Sequence, residues 1–90
     1  MLTLITYDIS DDKRRRRVEK ILSSYGYRVN YSVFELEISQ SKFQKIIKAL
    51  KKVSENADHI RIYVLNRDVL KKSFVLHKDD GIFNHEELYI

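Results

Sequence analysis

The 90-residue sequence contains no cysteine and no proline, and it has only two glycines. Without cysteine, the chain can form no disulfide bond, no cysteine-ligated zinc site and no thiol nucleophile. The absence of proline and the scarcity of glycine argue against linkers, collagen-like repeats and low-complexity tracts. A chain this short buries only roughly 60–65% of the surface that its unfolded form exposes, so its own core is small. We therefore predict one small domain over residues 1–90.

Long apolar runs are also missing. No stretch approaches the roughly 20 apolar residues that a membrane-spanning helix requires. The apolar segment at residues 1–5 has no basic flank and is followed closely by Asp8, so it does not resemble a signal peptide. We expect a cytoplasmic protein that does not bind a membrane.

Positive charge is present in excess, and it is unevenly distributed. The whole chain has seventeen Lys and Arg against thirteen Asp and Glu, a net charge of +4. Residues 1–53 hold twelve basic and six acidic residues, whereas residues 54–90 hold five basic and seven acidic residues. Because clustered positive charge attracts polyanions, a nucleic acid is the expected partner of the first half of the chain.

Apolar spacing predicts two helices. In the first, a side-chain cap within residues 10–12 precedes an apolar stripe over residues 13–25. Gly26 follows, where a helix end favours a residue in the left-handed conformation. In the second, a serine cap within residues 39–41 precedes an apolar stripe over residues 43–53, and the lysines of this segment are most simply a solvated face.

Strands are predicted from alternation and from β-branched or aromatic content. They are Leu2–Tyr7, residues 27–38, Ile60–Leu65, Phe74–Leu76 and a short terminal strand near Leu88–Ile90. Within residues 27–38 the alternation slips by one near Ser32–Phe34, which requires a bulge or a break, and the residues alone favour a bulge. Two helices cannot cover both faces of such a sheet. We predict an α+β fold with both helices on one face of an antiparallel sheet and a second copy against the other face.

Asp8 is the first candidate for chemistry, because it ends the first strand just before a helix begins. Its simplest interpretation is a turn-forming or capping carboxylate. One carboxylate is also a weak Mg²⁺ site, since this ion usually takes one or two carboxylates and completes its shell with water and phosphate. A two-fold axis that brought two copies of Asp8 together would supply the ligand pair that one chain lacks.

Five consecutive basic residues, Lys13–Arg17, occupy the first turn of the first helix. Each cation there is unfavourable by roughly 0.3–1 kcal/mol, because a helix N-terminus is itself partly positive. A local rule broken without evident gain to the fold points to function. Arg14 should be partly packed, Arg15 and Arg16 should be free, and Arg17 should lie at the Asp8 end of the sheet. Guanidinium groups suit phosphate oxygens, so we predict a salt-sensitive, sequence-tolerant contact with a nucleic-acid backbone.

Other polar and aromatic residues give weaker signals. Arg28 adds charge near the phase slip, and Tyr7, Tyr31 and Phe34 belong to the same set of strands. Aromatic residues in a sheet are more often core than base-stacking platforms. The three histidines have no metal-ligand spacing, and there is no Walker A loop or dinucleotide-binding glycine pattern.

Two blocks of the sequence resemble the CRISPR-associated Cas2 family. Residues 4–18 read LITYDISDDKRRRRV, and residues 26–35 read GYRVNYSVFE. The spacing, the total length and the segment Ile60–Tyr63 are similar too, so the likeness covers essentially residues 1–66. Asn30 stands where glutamine is common in the family.

The resemblance implies a ferredoxin-like βαββαβ sandwich, in which the slip at residues 32–34 would separate two short strands. It implies extra C-terminal strands within residues 66–90, which vary in the family and would pair with a partner's sheet. It also implies a homodimer whose two Asp8 side chains face each other across a central cleft and hold Mg²⁺. Members of the family are described as metal-dependent endonucleases acting on RNA or double-stranded DNA. They also form the central dimer of the spacer-integration complex, beside the Cas1 integrase.

Carried over by position, the family's functional residues correspond here to Tyr7, Asp8, Arg15, Arg17, Arg28 and Phe34. With the rest of the basic run, this assigns catalysis to Tyr7, Asp8 and Phe34 and nucleic-acid binding to Arg14, Arg15, Arg16, Arg17 and Arg28. Two functions remain open. The first is an Mg²⁺-dependent endonuclease acting on single-stranded RNA or double-stranded DNA, with Asp8 as the ligand. The second is a non-catalytic duplex-DNA scaffold for the Cas1 integrase, in which Asp8 is dispensable; a stand-alone toxin-like ribonuclease is a third reading.

Overall fold

Seven elements follow one another in residues 1–77, the part of the chain that the computed structural model describes. They are β1 (Leu2–Asp8), α1 (Asp12–Ser23), β2 (Tyr27–Asn30), β3 (Val33–Glu37), α2 (Gln40–Val53), β4 (His59–Leu65) and α3 (Arg67–Lys71). The strands form one antiparallel sheet in the order β2-β3-β1-β4. None of the helices in this part of the chain has the length and apolar content needed to cross a membrane.

The core lies between the sheet and the two long helices, all on one face of the sheet. Burial alternates along β1, so that Thr3, Ile5 and Tyr7 face the helices while Leu2 and Leu4 point the other way. The buried cluster also draws on both helices and on β3, through Val18, Leu22, Phe34, Leu36, Ile46 and Leu50. The expected α+β arrangement, with both long helices on one face of an antiparallel sheet, is confirmed.

Side-chain caps begin both long helices, as predicted. The carboxylate of Asp11 accepts a hydrogen bond from the backbone N–H of Arg14 at 2.9 Å, and the hydroxyl of Ser39 accepts one from the N–H of Lys42 at 3.2 Å. Each cap satisfies a backbone donor that has no partner inside the first helical turn. The caps therefore fix where each helix starts.

Gly26 follows the first helix as predicted, but the reason predicted for a glycine at this position is wrong. Gly26 does not adopt a left-handed conformation. The helix α1 ends at Ser23, and the residue that caps it, Ser24, has right-handed backbone angles. A Cβ atom at position 26 would lie 2.6 Å from the carbonyl oxygen of Glu35 and 2.6 Å from Cγ of Leu36. Glycine is required here because the chain between α1 and β2 passes so close to β3.

The phase slip in residues 27–38 marks two strands, as the family resemblance implies. Residues 31 and 32 form the turn between β2 and β3. The register also shifts between Arg28 and Asn30, which leaves Val29 as one extra residue in β2. The predicted break is therefore the hairpin turn, and the bulge lies just before it.

The strand predicted at Phe74–Leu76 is wrong. The described part of the segment after β4 consists of α3 and irregular backbone. Asn66 caps α3 by accepting a hydrogen bond from the N–H of Val69 at 2.8 Å, and Leu70 is fully buried. This cap and the buried side chain stabilise α3, which ends three residues before Phe74. The terminal strand predicted at Leu88–Ile90 lies outside the described residues.

Candidate nucleic-acid interface

Asp8 is the last residue of β1, and its side chain is exposed. It pairs with His59 of β4 across the sheet, and the connection to α1 follows directly. The cap of α1 is Asp11, so Asp8 does not have the capping role that is the simplest interpretation of its position. Within residues 1–77 its carboxylate forms no hydrogen bond or ion pair, which leaves it available to a ligand.

An open cavity of about 440 Å³ lies beside Asp8. It is formed where the end of β1, one side of α1 and the β2–β3 turn meet. Four of the predicted site residues line it together: Tyr7, Asp8, Arg15 and Arg28. The cavity therefore combines one free carboxylate with two guanidinium groups.

Tyr7 is buried on the wall of this cavity. Its hydroxyl lies 2.7 Å from Oε2 of Glu19 and 2.9 Å from the carbonyl oxygen of Tyr31. Burial, and then the hydrogen bond to Glu19 and the negative charge of that residue, raise the pKa of Tyr7 well above its ordinary value. The hydroxyl stays protonated at any working pH, so Tyr7 can donate a hydrogen bond but cannot act as a general base.

Arg28 is held by the same carboxylate. Its guanidinium donates a hydrogen bond to Oε2 of Glu19 at 2.6 Å and another to the carbonyl of Tyr31 at 3.0 Å. It also lies over the ring of Phe34, 5.8 Å from the centroid, and that ring stacks on Tyr7 at 6.3 Å. Phe34 is only 1% exposed, so it supports Arg28 and Tyr7 from behind and does not itself line the cavity.

Arg14 points away from the cavity, into a cluster of carboxylates. Its Nε and Nη2 atoms lie 2.9 and 3.2 Å from the two carboxylate oxygens of Asp58, whose side chain is 2% exposed. Glu55 and Asp11 lie farther off, at 3.6 and 3.8 Å. The hydrogen bond from Arg14 and the backbone N–H of Glu55 lower the pKa of Asp58. The expectation that Arg14 is partly packed is confirmed, and its partners give it a role in the fold.

Arg15 is not free, contrary to the prediction. Its guanidinium binds the carboxylate of Asp12 at 2.6 Å and the carbonyl of Ile9 at 3.2 Å. Asp12 is three residues earlier in the helix, a spacing that places the two side chains side by side. Arg15 therefore presents to the cavity a guanidinium that is already partly neutralised.

The exposed cations of this turn are Lys13, Arg16 and Arg17. Arg16 makes one long contact, 3.3 Å from Nε to the carbonyl of Asp12. The side chains of Lys13 and Arg17 form no hydrogen bond or ion pair with any residue of the described chain. The sequence argument was that the basic residues do not stabilise the fold. It holds for Lys13, Arg16 and Arg17, but it is wrong for Arg14 and Arg15, which have carboxylate partners.

Two carboxylates that organise the site were missed from the sequence. Glu19 joins Tyr7 to Arg28, and it is the only acidic residue between Asp12 and Glu35, which is a signal that could have identified it. Asp58 gave no such signal, because it lies 44 residues from Arg14 in the sequence.

The metal-ligand set of one chain is small. Within residues 1–77 no group of three or more His, Cys, Asp or Glu side chains could hold a metal ion. A single exposed carboxylate at Asp8 suits Mg²⁺ only when water, phosphate or a second carboxylate completes the coordination shell. The donor chemistry therefore fits half of a magnesium site.

Comparison with known proteins shows the family to which this chain belongs. The family model described as CRISPR associated protein Cas2 matches residues 1–73. A relative from Synechocystis sp., named CRISPR-associated endoribonuclease Cas2 3, is 44% identical over 70 residues, which cover 77% of this chain and 76% of the relative.

Solved structures agree in fold. The crystal structure of Streptococcus pyogenes Cas2 at pH 6.5 superimposes with a TM-score of 0.73 and 33% identity, covering 84% of this chain and 99% of that one. A chain of a partial Cas6-RT-Cas1–Cas2 complex gives a TM-score of 0.59 and 35% identity, covering 84% of this chain and 91% of that one.

Proposed function

Because the chain belongs to the CRISPR associated protein Cas2 family, we propose that it is a CRISPR adaptation protein with metal-dependent endonuclease activity. The names of its relatives, which are endoribonucleases, support phosphodiester hydrolysis as the reaction class. The likeness to a chain of a complex that contains Cas1 supports the Cas1 integrase as a partner.

In this proposal the working unit is a homodimer formed through the face of the sheet that the helices leave uncovered. Leu2, Leu4 and Leu65 are only partly buried on that face, and Tyr63 is 45% exposed beside them. A second copy would bury this apolar surface, which α1 and α2 leave uncovered. The strand order β2-β3-β1-β4 with both long helices on the other face suits the ferredoxin-like fold.

Nucleic acid would bind at the start of α1 and in the cavity beside Asp8. Lys13, Arg16 and Arg17 are exposed cations that would contact phosphate oxygens without reading bases. Arg28, fixed over Phe34, would place the backbone near Asp8. Such contacts release counterions, so affinity would fall steeply with salt.

Cleavage would occur at Asp8, and the observation that carries this assignment is a free carboxylate at the mouth of a cavity lined by Arg15 and Arg28. Asp8 and the Asp8 of a second copy would hold Mg²⁺, which supplies an activated water and neutralises charge on the attacked phosphate. Tyr7 would keep its proton and hold Glu19 away from that phosphate. Single-stranded RNA and double-stranded DNA are both substrates that this arrangement admits.

A non-catalytic role as a duplex-DNA scaffold for Cas1 is the second candidate, and one observation favours it. Glu19 is the other carboxylate of the cavity, and it is bound to Tyr7 and Arg28. Among the residues that line this cavity, Asp8 therefore has no second free carboxylate to act as a base. In this role Asp8 would be dispensable.

Asp8→Asn separates the two candidates. If Asp8 is a metal ligand, Mg²⁺-dependent cleavage by the purified dimer should fall roughly 100-fold or more, because even second-shell changes at metal sites cost 10–100-fold. Binding to a nucleic-acid duplex should change less than about twofold, since Asp8 makes no phosphate contact. Asp68→Asn, an exposed acid in α3, is the matched control.

Cleavage at the wild-type rate by Asp8→Asn would contradict the assignment of Asp8 as the ligand of a catalytic metal. If cleavage is lost but spacer integration with Cas1 proceeds normally, the scaffold is the physiological role.

A further inference from the structure

Tyr31 is the most exposed large apolar side chain of the described residues. It lies in the β2–β3 turn and is 86% exposed, whereas Tyr7 and Phe34 are 5% and 1% exposed. The expectation that aromatic residues of this strand set belong to the core therefore suits Tyr7 and Phe34 and fails for Tyr31. The ring of Tyr31 is therefore accessible to a ligand in the single chain.

The backbone beneath this ring is held in place. The carbonyl of Tyr31 accepts hydrogen bonds from the hydroxyl of Tyr7 at 2.9 Å and from Nε of Arg28 at 3.0 Å. Its N–H donates to Oδ1 of Asn30 at 2.8 Å. Glu19 fixes both Tyr7 and Arg28, so the turn is tied to α1 as well as to the sheet. The ring is exposed on a rigid support, which lowers the entropy cost of stacking a ligand on it.

The ring also lies beside two open cavities, each of which contains at least one arginine. Arg28 and Tyr31 together line the 440 Å³ cavity beside Asp8 and a second open cavity of about 360 Å³ on the β2 side. Arg15 lines the first of these. Proteins that bind single-stranded nucleic acid combine a basic groove for the backbone with aromatic rings on which bases stack.

We propose that Tyr31 stacks on an unpaired base, so that the preferred ligand of this cavity is single-stranded RNA or a single-stranded end. The bases of a continuous duplex stack on each other and do not offer a free face to a ring outside the helix. This inference rests on the proposed nucleic-acid function. It adds that the ring of Tyr31 makes the cavity bind an unpaired strand in preference to a duplex.

The test uses the full-length protein without divalent metal, so that binding is measured without cleavage. The probes are a single-stranded RNA containing 2-aminopurine and a blunt DNA duplex. Tyr31→Leu removes the aromatic face, and Tyr31→Phe keeps it. Phe74→Leu is the control, at an exposed aromatic that follows α3 in the sequence and lines neither cavity.

We expect Tyr31→Leu to weaken single-stranded RNA binding about 5- to 150-fold, the range for losing one stacked base. Its affinity for the blunt duplex should change less than about twofold, since phosphate contacts remain. Tyr31→Phe and Phe74→Leu should bind both probes like the wild type. The wild type and Tyr31→Phe should quench 2-aminopurine fluorescence, and Tyr31→Leu should not.

Three results would overturn the inference. One is a Tyr31→Leu protein that binds the RNA like the wild type, and another is one that loses affinity for both probes equally. The third is dissociation of the Tyr31→Leu dimer in sedimentation, which would make Tyr31 an interface residue. If the wild type binds neither probe, the proposed function itself is wrong, a result distinct from the first two because they require a wild type that binds.

Discussion

Arg14 and Arg17 stand in the same turn of α1, three residues apart, and have opposite surroundings. Arg14 contacts the carboxylates of Asp58 and Glu55, which lie in the connection between α2 and β4. Arg17 is exposed, and its side chain forms no ion pair within residues 1–77. The comparison shows that, in a run of arginines, some can stabilise the fold while others stay free to bind a ligand. The partner, and not the residue type, decides which.

The carboxylates near the start of α1 also explain how a helix can begin with so many cations. Asp11 caps α1 and Asp12 lies in its first turn, so two carboxylates offset the repulsion between the positive charges and the helix N-terminus. Asp58 adds a third from a distant loop. The exposed cations of the turn are tolerated because the paired ones are neutralised.

Removing Arg14 is the strongest test of this comparison. Arg14→Ala leaves the carboxylate of Asp58 without its cation while only 2% of that side chain is exposed, so the unfolding temperature should drop by several degrees. Arg17→Ala, the matched control, should shift stability by no more than about 0.5 kcal/mol, because an exposed side chain without a partner contributes little. Equal losses in thermal unfolding would show that the two arginines do not differ.

Removing the exposed cations tests whether the unpaired arginines of α1 bind nucleic acid. The double variant Arg16→Gln, Arg17→Gln should keep its stability but bind duplex DNA with a weaker salt dependence. Each lost phosphate contact should reduce the slope of log affinity against log salt concentration by about 0.9. Affinities measured between low and moderate salt give the slope. An unchanged slope would mean that these side chains do not contact phosphate.

Acid titration gives the smallest expected effect. The pKa of Asp58 lies below its ordinary value of 3.8, chiefly because Arg14 donates hydrogen bonds to the carboxylate. A carboxyl with a lowered folded-state pKa stabilises the protein fully above its unfolded pKa and loses that contribution as pH falls through the folded pKa. The stability gap between wild type and Asp58→Asn should stay constant down to about pH 5 and narrow below pH 3.8. Urea unfolding across this range measures the gap, and a gap that widens in acid would contradict the assignment.

Features that depend on residues close together in the sequence could be predicted from the sequence alone. Alternation along β1 and the apolar stripe of α2 predict which faces are buried, because each pattern repeats within a few residues. The caps at Asp11 and Ser39 are equally local. Local chemistry therefore identifies the elements and where the two long helices start.

Features that depend on distant segments were not accessible in the same way. Nothing near Arg14 indicates Asp58, and nothing near Gly26 indicates that β3 passes 2.6 Å from the position of a Cβ atom. The apolar residues Phe74–Leu76 have strand composition, yet the described chain at that point is irregular, because no neighbouring strand pairs with it within residues 1–77. Of the eight site residues predicted from the sequence, four line the cavity beside Asp8. The sequence did not show that Glu19 connects two of them, Tyr7 and Arg28.

The extra residue at Val29 places a limit on how this chain can change over evolution. Strand side chains alternate between the two faces, so deleting or adding one residue at this point would reverse the side on which Arg28 or the turn emerges. Arg28 would then lose the ring of Phe34, and the Tyr31 carbonyl would lose its donors. Substitutions at position 29 should be common among relatives that keep this site, whereas single-residue gaps between positions 28 and 31 should be selected against.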